Sequence, residues 1–316
     1  MTIFHGITQH VNTWRFHMRV FLTGATGFIG SRVLRELLAA GHEVIALTRS
    51  DSGAKALASA GASAYFGSLE DPASLAKGAE SADAVIHTAF DHDFSNFTAN
   101  CKKDRRVIGA LGSVLKGSDR PLLITSGVGI GDPGTGEPAR EDVFDAGHFN
   151  PRIASELAGQ EQLAAGVNLG VVRLPQVHDT LKQGLISPYI AMAREKGVVA
   201  YVGEGANRWA AGHVNDVARL YVLALARAEP GARYHAVAEE GVVAREIAEV
   251  VASGLGLPAA SLTKEEAQAH FGWFAMFATA DITASSTLTR QKLGWQPTGP
   301  SLLTDLKNMD YSVMQA

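Results

Sequence analysis

Met18-Arg-Val-Phe-Leu-Thr-Gly-Ala-Thr-Gly-Phe-Ile-Gly30 is the stretch whose reading decides the fold. Arg19 to Leu22 form a short, mostly apolar run of the kind that makes a strand. Thr23 to Gly30 spell T-G-x-x-G-x-x-G, and apolar residues then recur at helical period. Glycine at 24 permits a tight turn. Gly27 has no Cβ to obstruct a pyrophosphate, and Gly30 lets the helix pack closely on its strand. The unpaired N–H groups of the first helical turn then face the phosphates with a favourable dipole. A glycine triad in a strand–turn–helix context points to a dinucleotide site, with Thr23, Gly24, Thr26, Gly27, Phe28, Ile29 and Gly30 as expected contacts.

Outward from this turn the pattern repeats. Val33, Leu34, Leu37 and Leu38 give the helix an apolar face, and Gly41 closes it. His42 to Leu47 read as a second strand ending in Thr48-Arg49-Ser50. An acid about twenty residues past the glycines normally holds the ribose diol of NAD. Here Arg49 and Ser50 occupy the strand tip, a chemistry suited to a 2′-phosphate, so NADP(H) is the expected cofactor. NAD(H) stays open through Asp51 if the turn curls back. Ala62 to Phe66 make a third strand with Ser68 and Leu69 at its tip, beside the expected adenine. Ala84 to Ile86 make a fourth, leading to His87, Thr88 and Ala89, whose small residues leave room for a dinucleotide. His87 reads as a ribose or phosphate contact, or equally as packing under the loop. Asp91-His92-Asp93 offers metal-capable side chains without a matching further ligand and reads as a loop over the site. Leu122 to Ile124 form an apolar fifth strand that delivers Ser126 to the carboxyl edge, where side chains carry chemistry. The expected fold is α/β, a Rossmann-type doubly wound parallel sheet with a smaller C-terminal substrate lobe.

Composition bounds what such a fold does. The chain has 316 residues, 46% of them hydrophobic, and a formal charge of -4, which gives no electrostatic reason for a nucleic-acid partner. The single cysteine excludes an internal disulfide framework and suggests a reducing, cytoplasmic setting. No stretch approaches the roughly eighteen uncharged apolar residues of a membrane span. Residues 1–17 read as a flexible extension: His5, His10 and His17 match no ligand spacing, so no metal site is expected. Residues 18–178 are the expected dinucleotide domain, and 179–316 complete the sheet and build the substrate lobe.

The chain resembles the extended branch of the short-chain dehydrogenase/reductase superfamily, whose epimerases, dehydratases and reductases share the opening glycine motif. The resemblance also rests on Thr125-Ser126, Arg173-Leu-Pro175 and Leu293-Gly-Trp-x-Pro297, and spans residues 18 to about 310. It implies a serine that holds the reacting oxygen, a tyrosine that passes the proton, and a lysine four residues later that tunes the tyrosine and binds ribose. Ser126 matches the serine. The chain then departs from the pattern, since no tyrosine occurs between residues 66 and 188. Counting back from Arg173 puts Arg152 in the lysine position, Glu156 on the usual acid and His148 in the tyrosine position. Arginine can hold a ribose hydroxyl but never deprotonates, whereas histidine exchanges a proton near pH 7. His148 therefore reads as catalytic, as a capping or surface group, or as a substrate contact. Arg152 reads as a cofactor or catalytic residue, or as a partner of Glu156 one turn on.

The resemblance further implies that Pro175 and Val177 pass under the nicotinamide and that His178 reaches the substrate. Arg208 and His213 are additional substrate candidates. Trp209 is a flat apolar wall for a ring, or equally a core residue. Asp216 reads as the N-terminal cap of a helix over 217–228. The bulky run Phe271 to Phe277 roofs the pocket or meets a second subunit in a possible homodimer. These features together predict an NADP(H)-dependent oxidoreductase. It would reduce a carbonyl, or oxidise the alcohol, of a small apolar or aromatic substrate, with Ser126 polarising the oxygen and a donor other than tyrosine. A sugar-nucleotide epimerase or dehydratase and a non-enzymatic redox sensor are the alternatives.

Overall fold

The computed structural model describes residues 17–312, so the reading of residues 1–17 as an extension lies, but for His17, outside the described residues. The chain begins with β1 (Arg19–Thr23), α1 (Phe28–Ala39), β2 (Glu43–Thr48), α2 (Asp51–Ser59), β3 (Ser63–Phe66), α3 (Pro72–Ala79) and β4 (Ala84–His87). It continues through α4 (Phe97–Ser113), β5 (Leu122–Gly127), α5 (Ile153–Ala164), β6 (Leu169–Leu174), β7 (Gln176–His178), α6 (Ile186–Lys196), β8 (Val199–Val202) and β9 (Arg208–His213). Then follow α7 (Val214–Arg227), β10 (Arg233–His235), β11 (Glu239–Val243), α8 (Ala244–Leu255), β12 (Ala259–Leu262) and α9 (Lys264–Phe271). Three short helices end the chain, α10 (Ala275–Ala278), α11 (Thr287–Leu293) and α12 (Leu302–Asn308).

Seven strands form one parallel sheet in the order β10-β6-β5-β4-β1-β2-β3. The order reverses between β1 and β4, the place where ligands bind in open α/β sheets. Both faces are covered, which is why β4, β5 and β6 are nearly continuous apolar runs. On one face Val33 and Leu37 of α1 and Val217 and Leu220 of α7 bury Val20, Leu22 and Ile86. On the other, Val107, Ile108 and Leu111 of α4 cover Phe21, Val85 and Ile124. A second core, with Ile190, Trp209, Ile247, Val251, Phe271, Phe274 and Leu306, belongs to the C-terminal lobe. The lobe carries a three-stranded sheet β11-β9-β7 and a pair β12-β8. Among the described residues no helix is long and apolar enough to cross a membrane.

Two local readings change. The helix expected over 217–228 starts at Val214 and is capped by His213, whose Nδ1 accepts from the Asn215 N–H at 3.3 Å. Asp216 sits within its first turn, fully buried. It accepts from the backbone N–H groups of Thr298 (2.9 Å) and Gly299 (2.8 Å), fastening the Leu293–Pro297 corner to the first sheet's cover. The helix expected from residue 151 starts at Ile153 instead.

Candidate active site

The opening turn has the predicted shape. Gly24 has φ +74°, and a Cβ there would lie 2.6 Å from Thr88 Oγ1 and 2.8 Å from the Ala89 nitrogen. A Cβ on Gly30 would collide with the Gly24 carbonyl, so this glycine serves the turn itself. Ser50 caps α2 and Asp71 caps α3, each through its side chain. By contrast α1 begins at Gly27 with no side-chain cap and no acid in its first turn. Its N-terminal N–H groups are thus left for an external anion, at the sheet's switch point, and the cradle fits a dinucleotide pyrophosphate. Thr26 and Gly27 are exposed, while Phe28 and Ile29 are half-buried just beyond.

Behind the turn lies a buried polar network. Thr88 Oγ1 donates to the Thr23 carbonyl at 2.7 Å, and the Ala89 N–H donates to Thr23 Oγ1 at 3.2 Å. Thr23 Oγ1 also meets His87 Nδ1 at 2.7 Å, and His87 Nε2 meets Asp104 at 2.9 Å. Asp104, from α4, also accepts from Arg152 Nη1 at 2.6 Å and from Ser155 Oγ at 2.5 Å. Arg152 Nη2 donates to the Thr125 carbonyl at 2.8 Å. Burial would raise the Asp104 pKa, but the Arg152 charge and the His87 and Ser155 hydrogen bonds outweigh it and hold the carboxyl well below its ordinary range. The tips of β1, β4 and β5 are thereby locked to α4 and α5. His87 lies inside this lock, 1% exposed, with both ring nitrogens engaged.

Ser126 is buried on the α5 side of the β5 tip, and its Oγ has no hydrogen-bond partner of good geometry. Beside it, Glu156 takes a bidentate pair from Arg173 (2.7 and 2.9 Å) and a further bond from Arg233 at 3.0 Å. Burial opposes the charge of Glu156, but these arginines, with Ser126 alongside, lower its pKa. Glu156 thus belongs to Arg173, and Arg152 to Asp104. His148 and Arg152 do not share a helix face, because α5 begins after both. His148 Nδ1 accepts from the Asn150 N–H at 3.1 Å, and its ring stacks on Phe149. Pro175 is half-buried and Val177 buried where the chain leaves β6. His178 is sealed inside: 0% exposed, its Nδ1 is 2.7 Å from Asp305 Oδ2. Arg208 is paired with Asp281 at 2.8 Å on the lobe surface. Trp209 lines a small apolar pocket with Tyr189, Phe271 and Phe274. Ser68 Oγ accepts from the Glu70 N–H at 3.2 Å in the β3 tip loop, and Leu69 is half-buried beside it.

The aromatic run divides by role. Phe271 and Phe274 are core, while Trp273 stacks face to face on Phe94 of the β4–α4 loop with centroids 4.7 Å apart. Phe90 of the same loop lies under the Arg152 guanidinium, 4.1 Å from its centre. Sequence reading did not single out Asp104, Phe90 or Phe94. Asp104 carried a usable signal: it shares a helix face with Val107 and Leu111, so an acid was placed on a stripe bound for burial.

The expected NADP(H) preference is corrected. Thr48 Oγ1 donates to the Ser50 carbonyl at 3.3 Å, and Ser50 Oγ accepts from the Gly53 N–H at 3.1 Å. The hydroxyls at the β2 tip are committed to their own turn, and Arg49 is left to meet a phosphate alone. The solved structures agree with that correction. DesIV, a dTDP-glucose 4,6-dehydratase from Streptomyces venezuelae described with NAD and TYD bound, superposes with a TM-score of 0.73 at 19% identity, covering 93% of this chain and 96% of that one. A UDP-glucose 4-epimerase from Stenotrophomonas maltophila with the same fold (TM-score 0.72, 19% identity, 94% and 97% covered) also carries NAD.

Residues 20–238 match the model of the NAD dependent epimerase/dehydratase family. An uncharacterized Schizosaccharomyces pombe protein, C2A9.02, is 44% identical over 93% of this chain and 100% of its own length. A UDP-glucose 4-epimerase from Streptomyces lividans is 27% identical over 90% of this chain and 93% of its own.

Proposed function

Because the chain belongs to the NAD dependent epimerase/dehydratase family, we propose that it binds NAD and uses it to oxidise a secondary alcohol of a small substrate. The hydride then returns to the same molecule in an epimerisation or dehydration. The observation that carries the reading is the uncapped N-terminus of α1 over the Gly24–Gly30 turn. There the N–H groups hold the pyrophosphate, and Thr88 and Ala89 border the path of the dinucleotide toward β5. Asp51, first residue of α2 and next to the Ser50 cap at the β2 tip, accepts from the ribose diol. NAD supplies the hydride acceptor. Ser126 donates to the substrate oxygen, a role supported by its buried hydroxyl having no hydrogen-bond partner of good geometry among the described residues. The near-complete coverage of the Streptomyces epimerase favours a sugar nucleotide as substrate.

A second reading, net reduction of an aromatic ketone, is favoured by one feature: the Trp209-lined pocket and the stacked Phe94–Trp273 pair offer apolar surface for an aromatic ring. Calorimetry with NAD comes first. NAD-loaded protein is then incubated with UDP- and dTDP-hexoses, and separately with NADH and aromatic ketones. An epimerised or dehydrated sugar without accumulating NADH supports the first reading. Stoichiometric NADH loss with a ketone selects the second. Binding without turnover leaves a sensor, and absence of NAD binding overturns both enzymatic readings.

A further inference from the structure

Within the β4–α4 loop, His92 is packed among aromatic rings. His92 lies edge-on to Phe90, with ring centroids 5.4 Å apart, and to Phe94 at 6.1 Å. Phe90 is pinned by Arg152 at the β5 tip, and Phe94 by Trp273 of the C-terminal lobe. The imidazole is therefore packed between two anchored rings of its own loop, with part of its surface left to solvent. The charges of Arg152, from the α5 side, and Lys182, from the β7–α6 loop, both act on it.

Other proton carriers near this edge are occupied. His87 bridges Thr23 and Asp104, His178 is sealed against Asp305, His213 caps α7, and His148 accepts from Asn150. Tyr221, the tyrosine at the β5 tip, is fully buried with its hydroxyl on Thr125 Oγ1 at 2.6 Å, and burial pushes its pKa far above the ordinary value.

We infer that His92 exchanges the proton of the substrate hydroxyl whose carbon gives its hydride to NAD, in place of the family's tyrosine. This rests on the NAD reading above. In the oxidative direction the C–H bond breaks, its hydrogen and electron pair would pass as hydride to bound NAD, and the O–H bond breaks. The proton goes to a ring nitrogen of His92, and the C=O bond forms; reversal returns both. Burial first, then the Arg152 and Lys182 charges, lower the His92 pKa against the opposing Phe90 carbonyl and Asp91 carboxylate, so the ring is a neutral acceptor at pH 7.

The test follows ring resonances of histidine-labelled protein through a pH titration with NAD and again with NADH, His92 being assigned from the His92→Gln spectrum. Oxidised nicotinamide carries a positive charge that the reduced ring lacks. A unit charge ~6 Å away across water moves a pKa by about half a unit. The His92 midpoint is expected to be lower with NAD by at least that amount, and H92Q is expected to bind NAD within about twofold of the parent, the range of an untouched contact. Equal midpoints with the two cofactors, or a tenfold loss of NAD affinity in H92Q, would overturn the assignment. A parent protein that binds no NAD would sink the cofactor reading itself, and this inference with it.

Discussion

Gly30 shows how much one missing Cβ determines. It is buried in the first turn of α1, and a methyl there meets the Gly24 carbonyl and Thr88 Oγ1 inside contact distance. The turn and the β4 tip have to separate to admit it. Gly30→Ala is expected to weaken NAD binding more than tenfold and to cost about 1–3 kcal/mol of stability, the usual toll of overpacking. Calorimetry and denaturant unfolding measure the two. The glycines were legible in the sequence because each has one stereochemical use. Asp104 was hidden in a basic-looking run, Lys102 to Arg106, because linear neighbours say little about what a helix turns inward. Arg49 misled for a related reason. Its charge suited a phosphate, but the neighbouring hydroxyls turned out to serve the turn that presents it.

At the scale of elements, the parallel strands were readable almost residue by residue, because burial on both faces leaves uninterrupted apolar runs. The site's furniture was less so. His148 and Arg152 lie four apart, a helical spacing, but Pro151 delays α5 until Ile153, and Arg152 turns to Asp104 instead. The β4–α4 loop depends on contacts more than 170 residues distant in the chain, which no local pattern announces. Phe94 and Trp273 bridge the lobes with rings 1° from parallel. An aromatic pair of this kind adds about 0.5–1.5 kcal/mol beyond its burial. Trp273→Ala is expected to leave global stability nearly unchanged while amide exchange across residues 91–97 accelerates severalfold. Unaltered exchange there would mean that the stack does not hold the loop.

For the whole molecule, buried histidines set the acid limit. Burial and the Arg173 charge lower His235 to about 3 from an ordinary value of 6.5. Between those values the unfolded chain binds a proton that the folded chain refuses, so stability falls as pH falls, by at most about 1.4 kcal/mol per pH unit for this group. Asp104 and Glu156 act in the same direction lower down, since their depressed pKa values are lost as pH drops below the unfolded carboxylate range. Thermal melts are expected to show a steady loss of Tm from about pH 6.5 downward, and His235→Gln should flatten the upper part of that slope. A Tm indifferent to pH between 6.5 and 4.5 would contradict the assignment of a neutral, buried ring.

The return of α7 and β10 to the first sheet has a practical consequence for dissecting the protein. A fragment stopped at residue 178 would lose the cover over Val20, Leu22 and Ile86, and would leave β6 as a bare edge. Such a piece offers an unpaired backbone and an open apolar face at once, the combination that drives chains to aggregate. Removing the C-terminal part to simplify cofactor studies would therefore yield insoluble material, and the nucleotide site has to be studied in the intact chain.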